Sequence, residues 1–395
     1  MKKIIFATFL SVLATVSLFL QGRPLGIGFL SYVTVLLLLW AVVYMIWGWF
    51  EKTEAKTRKR DRIVFISFFT SILAVFIVGG IKTYLRQKAS EPTEAYYREM
   101  FEDDWAIYNY GQTVNGKPCR AGTDINIDLD AVDRGLVGDV GTIILVLDTG
   151  IDRRITCLDK RINVAEVYDF YNNDMSIYDG YSSDYHGTFV ASVIAKIAPD
   201  CTMMSAKFME GDNGNVEDAK RALKMVEGSG VRIVNCSWTF EEYDEELYEM
   251  IKDMSDVLFV CAAGDDEKDL DQTPVYPAAY DCDNIISVMA NDSQGNKYQY
   301  TGYGKNRVDI SAPGVDVKVV FPENDISFVD GASAAAAFVS GTAALMASED
   351  PDLSPKEIID ILLESSTRND GLDNRCRGML NVKEALRLVS ERKGR

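Results

Sequence analysis

The chain has 395 residues, 47% hydrophobic and 11% aromatic, enough apolar side chain for a large core and too much for a disordered protein. Its net charge of −18 hides a break near residue 90: residues 1–90 carry 12 Lys and Arg against 3 Asp and Glu, a balance of +9, and the remaining 305 carry 29 against 56, a balance of −27. An acidic body excludes nucleic acid as a partner, since phosphates need a basic surface, and seven Cys without a CxxC pair beside a single His exclude a structural zinc site, so no metal ligands are assigned.

In chain order, three apolar runs come first. Residues 4–20, 25–50 and 63–81 are free of charge over 17, 26 and 19 positions, and a bilayer needs about 20 apolar residues per helix. They predict a membrane region over residues 1–81 with three transmembrane helices. The first run follows Lys2 and Lys3 and has a cleaved signal peptide as its alternative, although LFLQGRPLG after it offers no small-x-small site. The loop 51–62 carries Lys52, Lys56, Arg58, Lys59, Arg60 and Arg62 and is expected to stay cytoplasmic, with Trp40, Tyr44, Trp47, Trp49 and Phe50 as an aromatic belt. One span then separates that loop from the body. This predicts a multi-pass cell-membrane protein whose body is extracytoplasmic and which has the lipid bilayer as a partner. Lys82, Arg86 and Lys88 beyond the third span, and the odd number of Cys, run against that orientation. Residues 82–104 read as a polar tether, and 105–395 as one domain.

Within that domain short apolar strands alternate with helical stretches. Expected strands are 142–148, 201–207, 231–236, 257–262 and 284–288, several apolar throughout, as in parallel strands buried on both faces. Expected helices are 187–197, 216–227 and 245–254. The alternation predicts an α/β fold, a doubly wound, mostly parallel sheet with helices on both faces and a ligand cleft at the carboxyl ends of the strands.

Three segments carry nucleophilic chemistry. ILVLDTGID ends a buried strand with Asp148, SSDYHGTFVASVIA holds His186, the only histidine, and DGASAAAAFVSGTAALM places Ser333 at the start of a small-residue helix. Singly, each has a plainer reading: a turn-capping Asp, a helix-capping His, a Ser in a close-packed helix. Together they supply a nucleophile, a base and a group that orients the base. DTG also occurs in aspartic proteases, but those need two such carboxylates sharing a proton, and no second copy exists.

The order Asp, His, Ser is that of the subtilisin triad, and the flanking residues resemble the subtilisin-like serine protease (peptidase S8, subtilase) family from about residue 105 to 390. DTGI surrounds Asp148, HGTFVA surrounds His186, and GASAAAA stands where the family has GTSMAAP. WAIYNYGQTVNG and AGTDIN look like its leading segment, VNCSW like its substrate strand, CAAGDD like AAAGNE, YPAAY like its YPA segment, SAPGVDV like its APG turn, and RGMLNVKEAL like its closing helix. The resemblance implies a subtilisin-like fold and a membrane-anchored serine endopeptidase acting on protein or peptide substrates. Ser333 would attack the scissile carbonyl, His186 would relay the proton, and Asp148 would orient the imidazole. Asp265 and the backbone N–H of Ser333 would form the oxyanion hole; Gly214, Ser237 and Trp238 would flank an extended substrate; Ala262, Ala263 and Gly264 would line the P1 pocket. Calcium is common in the family, with no ligands assignable here.

The chain departs from the pattern most at Asp265, where the family has an Asn that donates to the oxyanion; an ionised carboxylate has no donor, whereas a protonated one does. Ala332 replaces Thr, Ala337 replaces Pro, and Thr239 replaces Gly in the substrate strand, which is expected to narrow the non-prime subsites. No propeptide of usual length is visible, so the enzyme is expected to fold unaided or to be restrained by another means. The acidic runs 241–246 and 265–271 are expected beside the cleft, favouring basic substrates unless they are merely solvated surface. The alternative to an active enzyme is a catalytically weak or inactive pseudoprotease that binds or senses peptides. A transporter role for the spans is disfavoured because none contains an ionisable residue.

Overall fold

Runs of β-branched and other apolar residues make the strands at the centre of the fold. In the computed structural model the described residues are 104–127, 142–155, 157–158, 162, 167–199 and 201–393. The chain divides into two units, Met1–Lys88 and Ala89–Arg395, and all the described residues belong to the second. The three expected spans and residues 82–103 of the expected tether lie outside the described residues, among which no helix is long and apolar enough to cross a membrane.

The strands in chain order are β1 (Thr113–Val114), β2 (Lys117–Pro118), β3 (Ile143–Asp148), β4 (Tyr168–Asp169), β5 (Thr202–Lys207), β6 (Met209–Glu210), β7 (Asn213–Gly214), β8 (Val231–Cys236), β9 (Leu258–Ala262), β10 (Ile285–Asn291), β11 (Ile310–Pro313), β12 (Val317–Val320), β13 (Ile326–Val329), β14 (Thr367–Arg368) and β15 (Gly378–Met379). The helices are α1 (Tyr181–Ile197), α2 (Val216–Leu223), α3 (Glu245–Asp253), α4 (Ala332–Glu349), α5 (Pro355–Glu364) and α6 (Val382–Lys393). Nine strands among the described residues form one sheet in the order β14-β15-β11-β10-β9-β8-β3-β5-β4, parallel throughout except for the β14–β15 pair.

Both faces of this sheet are covered, as the apolar strands require. Along β3, Ile144 and Val146 join one buried cluster with residues of α1, α4 and α6, while Leu145 and Leu147 join the other with residues of α2 and α3. The period of two thus feeds two cores from one strand. From β3 the chain runs to the edge strand β4, returns through α1 to β5 beside β3, and then crosses to β8 on the other side, so the order reverses beside β3. That is the switch point at which an open α/β sheet leaves a crevice beyond its carboxyl ends.

The expected strands appear within a residue at their starts, and β10 runs three residues further than expected, to Asn291. The first helix begins at Tyr181, six residues before the expected start at 187. The Asp184 carboxylate accepts hydrogen bonds from the backbone N–H groups of Asp179 and Gly180 and closes that extra turn. Asn215 and Asp244 cap α2 and α3 through their side chains, and Ser354 with Glu357 forms a capping box on α5.

Candidate active site

Three separate elements end at the crevice, each carrying one expected catalytic side chain. Asp148 is the last residue of β3, His186 lies in the second turn of α1, and Ser333 lies in the first turn of α4. His186 Nδ1 is 2.8 Å from Asp148 Oδ1, and His186 Nε2 is 3.0 Å from Ser333 Oγ. Asp148 is fully buried, and the His186 side chain keeps 21% of its surface open. With Nδ1–H donating to the carboxylate, Nε2 is left as the acceptor for the serine hydroxyl.

Backbone constraints explain why DTG and HGT flank these residues. A Cβ at Gly187 would stand 2.3 Å from the Gly150 carbonyl oxygen and 3.2 Å from Asp148 Oδ1, so only glycine lets α1 come this close to the end of β3. Gly150 itself has φ +103°, a left-handed conformation that glycine adopts without strain. The two threonines tie the same surfaces: Gly187 N–H donates to Thr149 Oγ1 (3.0 Å), and Asp152 N–H donates to Thr188 Oγ1 (2.9 Å). Thr149 N–H also donates to Asp148 Oδ1 at 2.7 Å, fixing the carboxylate.

Beneath the start of α1 sits a buried ion cluster that the sequence pattern did not reveal. Lys207, the last residue of β5 and the register partner of Asp148, is fully buried. Its ammonium meets Asp184 at 2.8 Å, Asp169 at 3.7 Å and also Asp179. Burial alone would lower its pKa, but bonds to Asp179 and Asp184 outweigh it and raise the pKa. The signal available in the sequence was a lysine closing an otherwise apolar strand, with Asp179 and Asp184 just ahead of the histidine.

The serine is held from the other side. Ser333 Oγ lies 3.2 Å from the Ser237 carbonyl oxygen, and Ser237 Oγ donates to the Ser333 carbonyl at 3.1 Å. Asn235 Nδ2 donates to Ser237 Oγ (2.9 Å), and Ser340 Oγ donates to Asn235 Oδ1 (2.8 Å), a buried chain running back into α4. Asn235 and Ser340 do not stand out in the sequence, because a buried Asn and Ser look like ordinary strand and helix residues until their partners are known.

Asp265 stands at the amino end of α4, where its Oδ1 accepts from Ala332 N–H at 2.8 Å. Its pKa is raised, first by partial desolvation in the cleft, then by Asp266 and Asp330; the Ala332 N–H and His186 oppose the shift. Burial would depress the His186 pKa, but the charge and hydrogen bond of Asp148, joined by Asp265 and Asp212, raise it.

Of the other expected residues, Ala262 and Ala263 are buried at the end of β9, and Gly264 follows with φ +87°. Trp238 is buried, with its indole N–H on the Leu147 carbonyl (2.8 Å) and its ring among Phe208 and Phe240, so its side chain braces β3 rather than facing the cleft. Gly214 lies in β7, and that hairpin reaches α1 through Gly211 N–H, which donates to the Ser183 carbonyl. The acidic runs are partly paired: Lys268 meets Glu241 (2.6 Å) and Asp266 (3.2 Å), and Lys220 meets Glu217, Asp244 and Glu246. Among the described residues no group of three or more His, Cys, Asp or Glu side chains is arranged to hold a metal ion. The cluster of Asp169, Asp179 and Asp184 already encloses an ammonium, a poor fit for calcium.

Residues 139–379 match the model of the subtilase family. The thermophilic serine proteinase of Bacillus sp. strain AK1 is 29% identical over 279 residues, covering 67% of this chain and 62% of that protein. Subtilisin BL of Lederbergia lenta is 28% identical over 269 residues, 65% of this chain and 94% of its own length. Among solved structures, the A-subunit of the AB5 toxin from E. coli superposes with a TM-score of 0.58 at 24% identity, covering 64% of this chain and 94% of its own. A protease structure from Pseudoalteromonas arctica gives 0.61 at 20% identity over 73% and 98%. These structural likenesses speak to the fold.

Proposed function

Because the chain belongs to the subtilase family and its kinship with serine proteinases makes it a serine endopeptidase, we propose that it hydrolyses protein or peptide substrates through an acyl-enzyme formed on Ser333. The observation that carries this reading is the hydrogen-bonded chain from Asp148 Oδ1 through both nitrogens of His186 to Ser333 Oγ, at 2.8 and 3.0 Å. As Ser333 Oγ bonds to the scissile carbonyl carbon, its proton passes to Nε2, and the buried Asp148 carboxylate stabilises the imidazolium. The imidazolium then gives that proton to the leaving amine as the C–N bond breaks. Water, deprotonated by the same nitrogen, opens the ester and restores the hydroxyl. The amino end of α4, with the Ser333 N–H, offers a donor and a positive dipole end to the oxyanion. Asp265 adds a second donor only while protonated, and its raised pKa favours that state. No step is routed through calcium.

The reading extends to a membrane-anchored enzyme whose peptidase domain faces away from the cytoplasm. Support comes from the charge-free runs at 4–20, 25–50 and 63–81 and the basic loop 51–62. Digestion of the domain by protease added outside intact cells checks the orientation; protection of the domain refutes it.

Reaction of the full-length chain with a fluorophosphonate tests the chemistry. Labelling that maps to Ser333 by mass spectrometry, and disappears in Ser333→Ala, is expected. A folded chain that does not react would instead be a peptide-binding pseudoprotease.

A further inference from the structure

We propose that this peptidase cleaves after small residues (alanine, serine or glycine) because Thr239 and Val275 fill the space that a larger acyl-side side chain would enter. The inference rests on the peptidase function above and specifies its substrates.

Two segments lead away from Ser333 and bound that space. One continues β8 through Ser237 to Thr239, and its Ser237 carbonyl touches Ser333 Oγ. The other continues β9 through Ala262 to Asp265, which caps the helix bearing Ser333. Cys236 and Cys261 are the last register partners of these two strands, so the segments beyond them start side by side. With Ala262, Ala263 and Gly264 as the expected P1 wall, a peptide whose carbonyl sat at Ser333 Oγ would point its acyl-side side chain between them.

That gap is occupied. Measured from where a Cβ on Gly264 would stand, Thr239 Cγ2 is at 3.6 Å, Thr239 Oγ1 at 3.8 Å and Val275 Cγ2 at 3.9 Å, ordinary van der Waals contact with no layer of space between. Both intruding side chains are β-branched and held stiffly at χ1, so neither swings aside freely. Gly264 at φ +87° keeps its wall as thin as the chain allows, and the room gained is taken by its neighbours.

The gap is also clasped against widening. Phe240 and Tyr276 exchange two backbone hydrogen bonds of 2.7 and 2.8 Å, locking the segment with Val275 under the one with Thr239. At the mouth, Lys268 on the loop after Gly264 pairs with Glu241 just beyond Thr239. The same pair, with Asp266, consumes acidic charge that would otherwise draw a basic side chain inward.

The test uses the full-length chain in detergent and matched peptides with Ala, Ser, Leu, Phe or Lys before the scissile bond. A misfit of even one methylene in an apolar pocket is worth about 10–200-fold in kcat/KM. Wild type is expected to favour Ala over Phe and Lys by at least about 10-fold, and Thr239→Gly to raise the Phe-to-Ala ratio by a similar factor, with Thr239→Ser between them. Affinities of the matching peptidyl boronic acids give the same order without turnover. Equal use of Ala and Phe peptides by wild type, or an unchanged ratio in both variants, overturns the proposal while leaving the peptidase intact. A wild-type chain that neither cleaves any peptide nor reacts with a fluorophosphonate removes the peptidase function itself, and this proposal with it.

Discussion

Replacing Asp265 with Asn reshapes the pH dependence of catalysis in a way the cleft's electrostatics fix in sign. In the proposed mechanism the faster chemistry in wild type has Asp265 protonated, so that it donates to the oxyanion beside the Ser333 N–H, and His186 neutral, so that it accepts from Ser333. Each group raises the other's cost: the ionised Asp265 favours the imidazolium, and the imidazolium favours ionised Asp265. The reactive microstate carries the same single proton as the dominant one, so it is a fixed minor share of the pair between its two ionisations and thins by about tenfold for each pH unit above the upper one. Asparagine supplies a permanent donor and removes one charge that holds His186 protonated. In a subtilisin, a donor at the oxyanion is worth about 10²–10³ in kcat. Asp265→Asn is thus expected to raise kcat/KM by about that factor at alkaline pH, abolish the alkaline limb and move the acid limb upward, from the first ionisation of the Asp265–His186 pair to that of His186 alone. Because the carboxyl pKa is raised in the fold, its ionisation opposes folding as pH climbs past the ordinary carboxylate range, so the variant is also expected to melt no lower than wild type at pH 7. Profiles of kcat/KM from pH 4 to 10 decide the matter; an alkaline limb that persists in the Asn variant, or no gain in rate, refutes the reasoning.

The ion cluster under α1 and the glycine at its start give two further expectations. Lys207→Met strands three carboxylates around a fully buried site; breaking such a cluster costs about 3–5 kcal/mol, read as a drop in the denaturant midpoint at pH 7. The raised Lys207 pKa means its contribution is complete at neutral pH and fades only as pH rises past the ammonium range. The defect should shrink in acid, where the carboxylates take up protons, and a loss below about 1 kcal/mol contradicts the cluster's role. Gly187→Ala should lower kcat by about 10²-fold or more despite alanine's better helix propensity, since its methyl meets the Gly150 carbonyl at 2.3 Å. Near-normal kcat in a folded variant shows that the contact does not set the Asp148–His186 spacing.

The sequence exposed what depends on local pattern. Buried strands such as Ile143–Asp148 and Val231–Cys236 stand out as apolar runs between turn residues, and the three catalytic candidates stand out because their flanks are so particular. What stayed hidden depends on partners distant in the chain. Tyr181–Asp184 looks like loop because Tyr-Ser-Ser-Asp carries no strong helix signal, and the turn forms through Asp184 closing on Asp179 and Gly180. Lys207 looks like the charged end of a strand until Asp169, Asp179 and Asp184 converge on it. Trp238 is legible as a neighbour of the substrate strand; that its indole ties to the Leu147 carbonyl on the adjacent strand was not. Thr239 is legible as a departure from glycine; that it reaches Gly264 together with Val275 required the folded backbone.

The central claim is that Ser333, activated by His186 and Asp148, hydrolyses peptide bonds. Turnover of a mixed peptide library by the purified full-length chain, from pH 5 to 9 and beside Ser333→Ala, tests it most directly. The account predicts cleavage by wild type that is lost, by at least about a thousandfold, in the alanine variant. Cleavage that survives in Ser333→Ala, or a folded wild-type chain that cleaves nothing across that range, contradicts it.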